Sequence, residues 1–171
     1  MPVVLIRHTK PLIANGICYG QTDIMTNAGD IPVVVEKVAH LKNPIVYSSP
    51  LRRCLILAEN LSENEQIDHR LKELNFGQWE MKPWNEIVGK EAELWFANFV
   101  YTPCPDGESF HDLYLRAVSF FNEKLKTTTN DTIVVTHAGV IRALHAHVNN
   151  IPLEKSFDLK VDFGEVITLI P

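Results

Sequence analysis

The stretch Thr132-Ile133-Val134-Val135-Thr136-His137-Ala138-Gly139-Val140 decides the fold class. Residues 132 to 135 are β-branched without polar alternation, the pattern of a strand buried on both faces. The run stops at Thr136-His137, and from Gly139 onward Val140, Leu144 and Val148 fall at helical spacing. Two other segments share this design: residues 3 to 6 end in Arg7-His8-Thr9, and residues 45 to 47 end in Ser48-Ser49. Residues 165 to 170 predict a fourth strand. Strands alternating with helices predict an α/β sandwich with a mostly parallel sheet, whose ligands sit beyond the carboxyl ends of the strands. That rule gathers His8, Ser49 and His137 around one crevice.

The helices between the strands carry their own signals. Asp30 and Pro32 open one that carries Val34, Val38 and Leu41, although its valine triplet weakens intrinsic propensity. Pro50 opens a second, with Leu51, Leu55 and Ala58 on one face. Ser109 and Asp112 form a capping-box pattern before Leu113, Ala117, Phe121 and Leu125.

The chain has 171 residues, which predicts one domain over residues 1–171, and its 46% apolar and 22% charged content is that of a globular protein. Sixteen basic against twenty-one acidic residues give a net charge of −5 with no basic run. General binding to nucleic acid or anionic membrane is therefore not expected, and any bound anion must be held by a few converging cations. Cys18, Cys54 and Cys104 are odd in number and widely spaced, so they read as reduced thiols rather than a disulfide framework or zinc cage. With no signal peptide pattern and no long apolar run, the expected compartment is the cytoplasm.

The crevice would hold two histidines, Arg7 beside the first, and Arg52 and Arg53 in the opening turn of the helix after the second strand. Arginine forks match phosphate oxygens, and a neutral imidazole nitrogen can attack phosphorus to form a phosphohistidine, with a carboxylic acid protonating the leaving alkoxide. Neighbours on a helix point about 100° apart, so Arg52 and Arg53 cannot both face the crevice.

Five segments together resemble the ordered motifs of the histidine phosphatase (phosphoglycerate mutase-like) superfamily: Leu5-Ile6-Arg7-His8-Thr9, Ser48-Ser49-Pro50-Leu51-Arg52-Arg53, the run from Leu71 to Glu80, Gly107-Glu108-Ser109, and Val135-Thr136-His137-Ala138-Gly139-Val140. Within it, the stretch from Gly16 to Asp23 and the one from Phe76 to Met81 resemble the α-ribazole phosphatase branch. The resemblance implies a three-layer α/β/α sandwich with a small helical cap inserted at about residues 76–105. It implies hydrolysis of a phosphomonoester without metal or cofactor, α-ribazole 5′-phosphate first among substrates. Another small-metabolite phosphatase is the alternative, ahead of a phosphoglycerate mutase or a non-catalytic phospholigand-binding module.

By the same resemblance His8 is the nucleophile, Arg7 and Arg53 clamp the phosphate, Glu73 donates the proton and His137 is a further phosphate ligand. The family spacing selects Arg53 over Arg52. Thr9 stands where many members have Gly, and Asn15 comes one residue later than the usual phosphate-binding Asn. The expected contacts to substrate are Thr9, Asn15, Tyr19, Gly20, Gln21, Trp79, Trp84, Glu108 and Ala138. The expected partner is the small phosphomonoester alone, with the chain a monomer or homodimer.

Plainer readings hold elsewhere. His145 and His147 at i, i+2 lie on different helix faces and are not expected to share a metal. Glu80 and Glu108 are alternative acids to Glu73. Seven of the fifteen aromatics lie between Phe76 and Tyr101, which predicts a packed cap in which Trp79, Trp84 or Tyr19 lines the leaving-group side.

Overall fold

The computed structural model describes residues 3–170. Five strands form one sheet in the order β3-β2-β4-β1-β5. They are β1 (Val3–Arg7), β2 (Ile45–Ser48), β3 (Gln66–Ile67), β4 (Thr132–Thr136) and β5 (Val166–Leu169). β4 runs parallel to β1 and β2, β2 runs parallel to β3, and only β5 is antiparallel, against β1. The expected α/β/α sandwich is what forms. β3 was not expected: two exposed residues at a sheet edge carry no hydrophobic pattern to read.

Alternation along the central strands splits the interior in two. Val3, Leu5 and Val134 belong to one apolar cluster, while Val4, Ile6, Ile133 and Val135 belong to the other. The first is closed by α4 (Phe110–Phe120) and α5 (Ala138–Val148), through Leu113, Phe120 and Leu144. The second is closed by α1 (Ile31–Val38) and α2 (Arg52–Glu59), through Val34, Val38 and Leu57. α3 (Lys90–Ala97) lies in the aromatic-rich segment, preceded by the 3-10 turns Gly77–Trp79 and Trp84–Glu86.

Helix boundaries depart from expectation in three places. α1 is led by a 3-10 turn, Ala28–Asp30, capped by the Asn27 side chain, and Asp30 itself makes no side-chain cap. α1 also ends at Val38, leaving Leu41 beyond it, packed as a partly buried side chain. In α2 and its N-cap, Leu51 and Ala58 are buried as expected, but Leu55 is only half-buried and Arg53, Cys54 and Leu57 complete the buried face. The Ser109 capping box forms as read, worth about 1 kcal/mol. Beyond Phe120 the helix widens into a π turn, Phe121–Leu125, which keeps Phe121 and Leu125 buried.

Register brings the functional ends together. Arg7 pairs with Thr136, Ser48 with Val135, and His8 N–H donates to the Thr136 carbonyl at 3.1 Å. His8, Ser49 and His137 therefore leave the sheet side by side. No helix among the described residues is long and apolar enough to cross a membrane.

Candidate active site

A cavity of about 340 Å³ opens at the carboxyl ends of the strands, walled by Arg7, His8, Arg53 and Glu73 at its polar end. The His8 ring is buried, and its Nδ1 lies 2.7 Å from the Thr9 carbonyl. A carbonyl only accepts, so Nδ1 carries the proton and Nε2 keeps its lone pair. Burial first, then the Arg53 and Arg7 charges, push the His8 pKa down to about 3, so the ring is neutral at physiological pH.

Both guanidiniums are held by carbonyls rather than carboxylates. Arg7 Nη1 donates to the Val161 carbonyl at 2.6 Å, and its guanidinium lies 3.8 Å from the Phe163 ring centroid. Arg53, fully buried, donates from Nη1 to the Thr22 carbonyl at 2.9 Å and from Nη2 to the Gly20 carbonyl. Neither arginine forms an ion pair among the described residues. The Nε atoms of both are buried without a partner. Two desolvated cations with unused donors are a cradle for an anion. Arg52 is exposed, as expected, and its backbone N–H donates to Asp23 at the start of α2.

His137 is fully buried, 5.1 Å from His8 between ring centroids, with Nε2 2.8 Å from the Ser49 hydroxyl. Burial, then the Arg53 charge, holds its pKa well below the ordinary value. The Cys54 thiol, 3.4 Å from the same nitrogen, is pushed up by burial and stays protonated. His137 stands behind His8 and does not itself line the cavity.

Glu73 reaches the cavity from the loop that follows the 3-10 turn His69–Leu71. Its Oε1 accepts from Leu74 N–H at 2.9 Å and its Oε2 from Gly139 N–H at 3.2 Å, at the first turn of α5. Position 139 has to be glycine for this approach, because a Cβ there would stand 2.2 Å from Oε1. The rival acids have other work. Glu80 accepts from the backbones of Gln21, Thr22 and Phe76, bonds which bring its pKa below the usual carboxylate range although burial pushes it up. Glu108 pairs with Arg116 at 2.8 Å.

Of the expected substrate contacts, Tyr19, Trp84 and Ala138 line the cavity. Thr9, Asn15, Gly20, Gln21, Trp79 and Glu108 do not. Thr9 contributes the carbonyl that orients His8, and Gly20 the carbonyl that holds Arg53. Gln21 donates to the Glu73 carbonyl at 3.1 Å. Trp79 is buried against Trp95 at 5.6 Å in the cap. Asn15 is exposed and borders a smaller neighbouring hollow that shares Ile17 and Tyr19 with the main cavity. Sequence reading missed Phe76, Phe110, Arg142 and Phe157, which complete the wall. For Phe76 the clustering of aromatics was an available signal; Phe157 and Arg142 gave none.

His147 Nδ1 lies 3.0 Å from the Tyr114 hydroxyl. Among the described residues no three His, Cys, Asp or Glu side chains gather as a metal site.

An α/β sandwich that sets a neutral histidine at a strand end beside the half-buried Arg7 and the buried Arg53, neither in an ion pair among the described residues, has the fold and the site of a phosphoryl-transfer protein. Residues 3–170 match the profile of the histidine phosphatase superfamily (branch 1), and the chain belongs to that family. A metal-independent phosphoserine phosphatase of Arabidopsis thaliana is 30% identical over 161 residues, covering 85% of this chain and 68% of the relative. An adenosylcobalamin/alpha-ribazole phosphatase of Escherichia coli is 29% identical over 104 residues, 58% of this chain and 51% of that one. The crystal structure of the alpha-ribazole phosphatase from Shigella flexneri superposes with a TM-score of 0.85 at 23% identity, covering 98% of this chain and 89% of that one.

Proposed function

We propose that the protein is a metal-independent phosphomonoesterase working through a phosphohistidine, with α-ribazole 5′-phosphate its best substrate. The observation that carries the mechanism is the free Nε2 of a neutral His8 beside two arginines that lack carboxylate partners. Nε2 attacks phosphorus and forms the P–N bond, the ester P–O bond breaks, and Glu73 protonates the departing alkoxide. Water then attacks phosphorus as Glu73 takes its proton, the P–N bond breaks, and phosphate leaves with His8 restored. Arg7 and Arg53 hold the equatorial oxygens throughout, and His137, edge-on to His8 and bonded to Ser49, backs the nucleophile rather than binding phosphate directly.

The substrate reading rests on the wall opposite, where Ile17, Tyr19, Phe76, Trp84, Phe110 and Phe157 make a mostly apolar surface suited to a flat heterocycle. The three buried free thiols agree with a reducing, cytoplasmic setting.

Quenching the enzyme during turnover should trap a stoichiometric phosphoenzyme that is labile in acid and stable in base. Turnover with no such species would mean direct attack by water and end the phosphohistidine reading. Replacing Trp84 by alanine should lower kcat/KM for α-ribazole 5′-phosphate about tenfold more than for ribose 5-phosphate, the worth of one stacking contact. Equal losses on both esters would remove the aromatic contact.

One observation favours a second reading. Arg142 lines the cavity half-buried, donates from Nε to the Leu159 carbonyl at 3.1 Å, lies 4.8 Å from the Phe157 centroid and forms no ion pair among the described residues. A leaving group bearing a carboxylate, as in phosphoserine, fits such a cation. Higher kcat/KM on phosphoserine than on α-ribazole 5′-phosphate would select this reading.

A further inference from the structure

The loop carrying Glu73 is irregular, and side chains from distant elements hold its carbonyls. Thr136 Oγ1 donates to the Leu71 carbonyl at 2.8 Å, and Gln21 Nε2 donates to that of Glu73 at 3.1 Å. Arg116, on α4, does the most. Its Nη1 donates to the carbonyls of Arg70 at 2.7 Å and Lys72 at 2.6 Å, and its Nη2 donates to that of Glu73 at 3.0 Å. Its Nε and Nη2 also donate to the two carboxylate oxygens of Glu108, at 2.8 and 3.0 Å.

A guanidinium has five N–H donors in a fixed fork, and here all five are used. Glu108 in turn accepts from the Asn75 backbone N–H at 2.9 Å. The backbone around Glu73 is thus gripped by one ion pair: Arg116 bonds two carbonyls before it and its own, and Glu108 bonds one N–H after it. The pair is mostly shielded, with side-chain exposures of 18% and 22%. It stands on a rigid base, because Glu108 immediately precedes the Ser109 capping box of α4.

We infer that Arg116, seconded by Glu108, is a positioning residue that fixes Glu73 for proton transfer to the leaving group. The inference rests on the proposed reading of Glu73 as the acid. Neither Arg116 nor Glu108 lines the cavity, so the effect runs through the loop backbone. Loop residues freed of the clamp regain backbone entropy, and a misplacement on the order of 1 Å costs a proton transfer about 10²-fold.

The test is leaving-group dependence in wild type, Glu73→Gln, Arg116→Gln, Arg116→Lys and Glu108→Gln, using ribose 5-phosphate and p-nitrophenyl phosphate. An alkoxide needs its proton; p-nitrophenolate departs without one. Arg116→Gln should lower kcat/KM, which ends at leaving-group release and excludes the shared hydrolysis of the phosphohistidine, about 30-fold on ribose 5-phosphate and about threefold on p-nitrophenyl phosphate. Arg116→Lys should fall between Arg116→Gln and wild type, since three ammonium donors replace part of the fork. Glu73→Gln should show the same discrimination, larger.

If Glu73→Gln discriminates but Arg116→Gln slows both esters alike, Arg116 serves only the fold and the inference is wrong. If Glu73→Gln itself slows both alike, the acid role is lost and the inference falls with it. Should Arg116→Gln fail to fold, Glu108→Gln reads the same clamp from its other side and decides by the same ratio.

Discussion

Replacing His8 by asparagine is expected to lower turnover on every phosphomonoester by about 10⁴-fold or more while making the protein more resistant to acid. The first effect follows from removing the atom proposed to bond phosphorus; the proposed cradle of Arg7 and Arg53 is left to bind the ester. The second follows from proton linkage. The folded protein keeps His8 neutral down to about pH 3, whereas the unfolded chain protonates it below about 6.5. As pH falls through that window the unfolded state takes up a proton that the folded state refuses, so stability present above 6.5 drains away. Asparagine has no such proton to take. At pH 5 the wild type should have lost about 2 kcal/mol on this account, and the variant should gain about 4–8 °C in Tm relative to its standing at pH 7.5. Thermal melts at the two pH values, beside single-turnover kinetics, read both effects. A Tm difference independent of pH would show that His8 is not held neutral by its burial.

The strand ends of this protein could be read because two local signals coincide there. β-Branched runs mark strands buried on both faces, and polar residues directly after them mark the edge where such sheets bind ligands. His8, Ser49 and His137 leave the sheet side by side as that rule placed them, although only His8 of the three lines the cavity, and the one-in-two choice between Arg52 and Arg53 falls to the buried Arg53. Residues whose roles depend on distant partners were not legible in the same way. Glu80 holds a loop 58 residues earlier, and Arg116 holds one 43 to 46 residues earlier; periodicity reports the face of one helix and nothing of such pairings. Phe157, in the 3-10 helix Leu153–Asp158, and Phe163, in a turn, stand outside any readable periodicity, yet one lies against Arg142 and the other against Arg7 and His8. For Glu73 the ordered motif singled out one acid among twenty-one, and nothing in local composition did.

Replacing Arg53 by methionine should separate what the protein gives up in stability from what it gains in binding. A buried guanidinium without a carboxylate partner carries a desolvation penalty of several kcal/mol, which here is relieved by two carbonyls and left incomplete at Nε. A phosphate dianion would complete it. Inorganic phosphate should therefore stabilise the wild type as a ligand of the folded state alone, by about 2.7 kcal/mol at a hundredfold excess over Kd, or about 5–10 °C in Tm. Methionine keeps the volume, removes the charge and leaves the carbonyls of Gly20 and Thr22 unpaired. The loop cannot move away to repair them, because Gly20 already lies so close to the Leu74 carbonyl that a Cβ would stand 1.8 Å from it. Each unpaired carbonyl costs about 1–3 kcal/mol, so loss of the buried charge is offset and the ligand-free variant should melt no higher than wild type. Its kcat/KM should fall about 10³-fold, and phosphate should no longer raise its Tm. Arg53→Lys keeps the charge without the fork and should lose nearly as much activity, since a compact ammonium lacks the planar, spread donors that reach the two carbonyls and grip an anion in bidentate fashion. A methionine variant that phosphate still stabilises fully would show that Arg53 does not face the anion, and would leave Arg7 as the clamp.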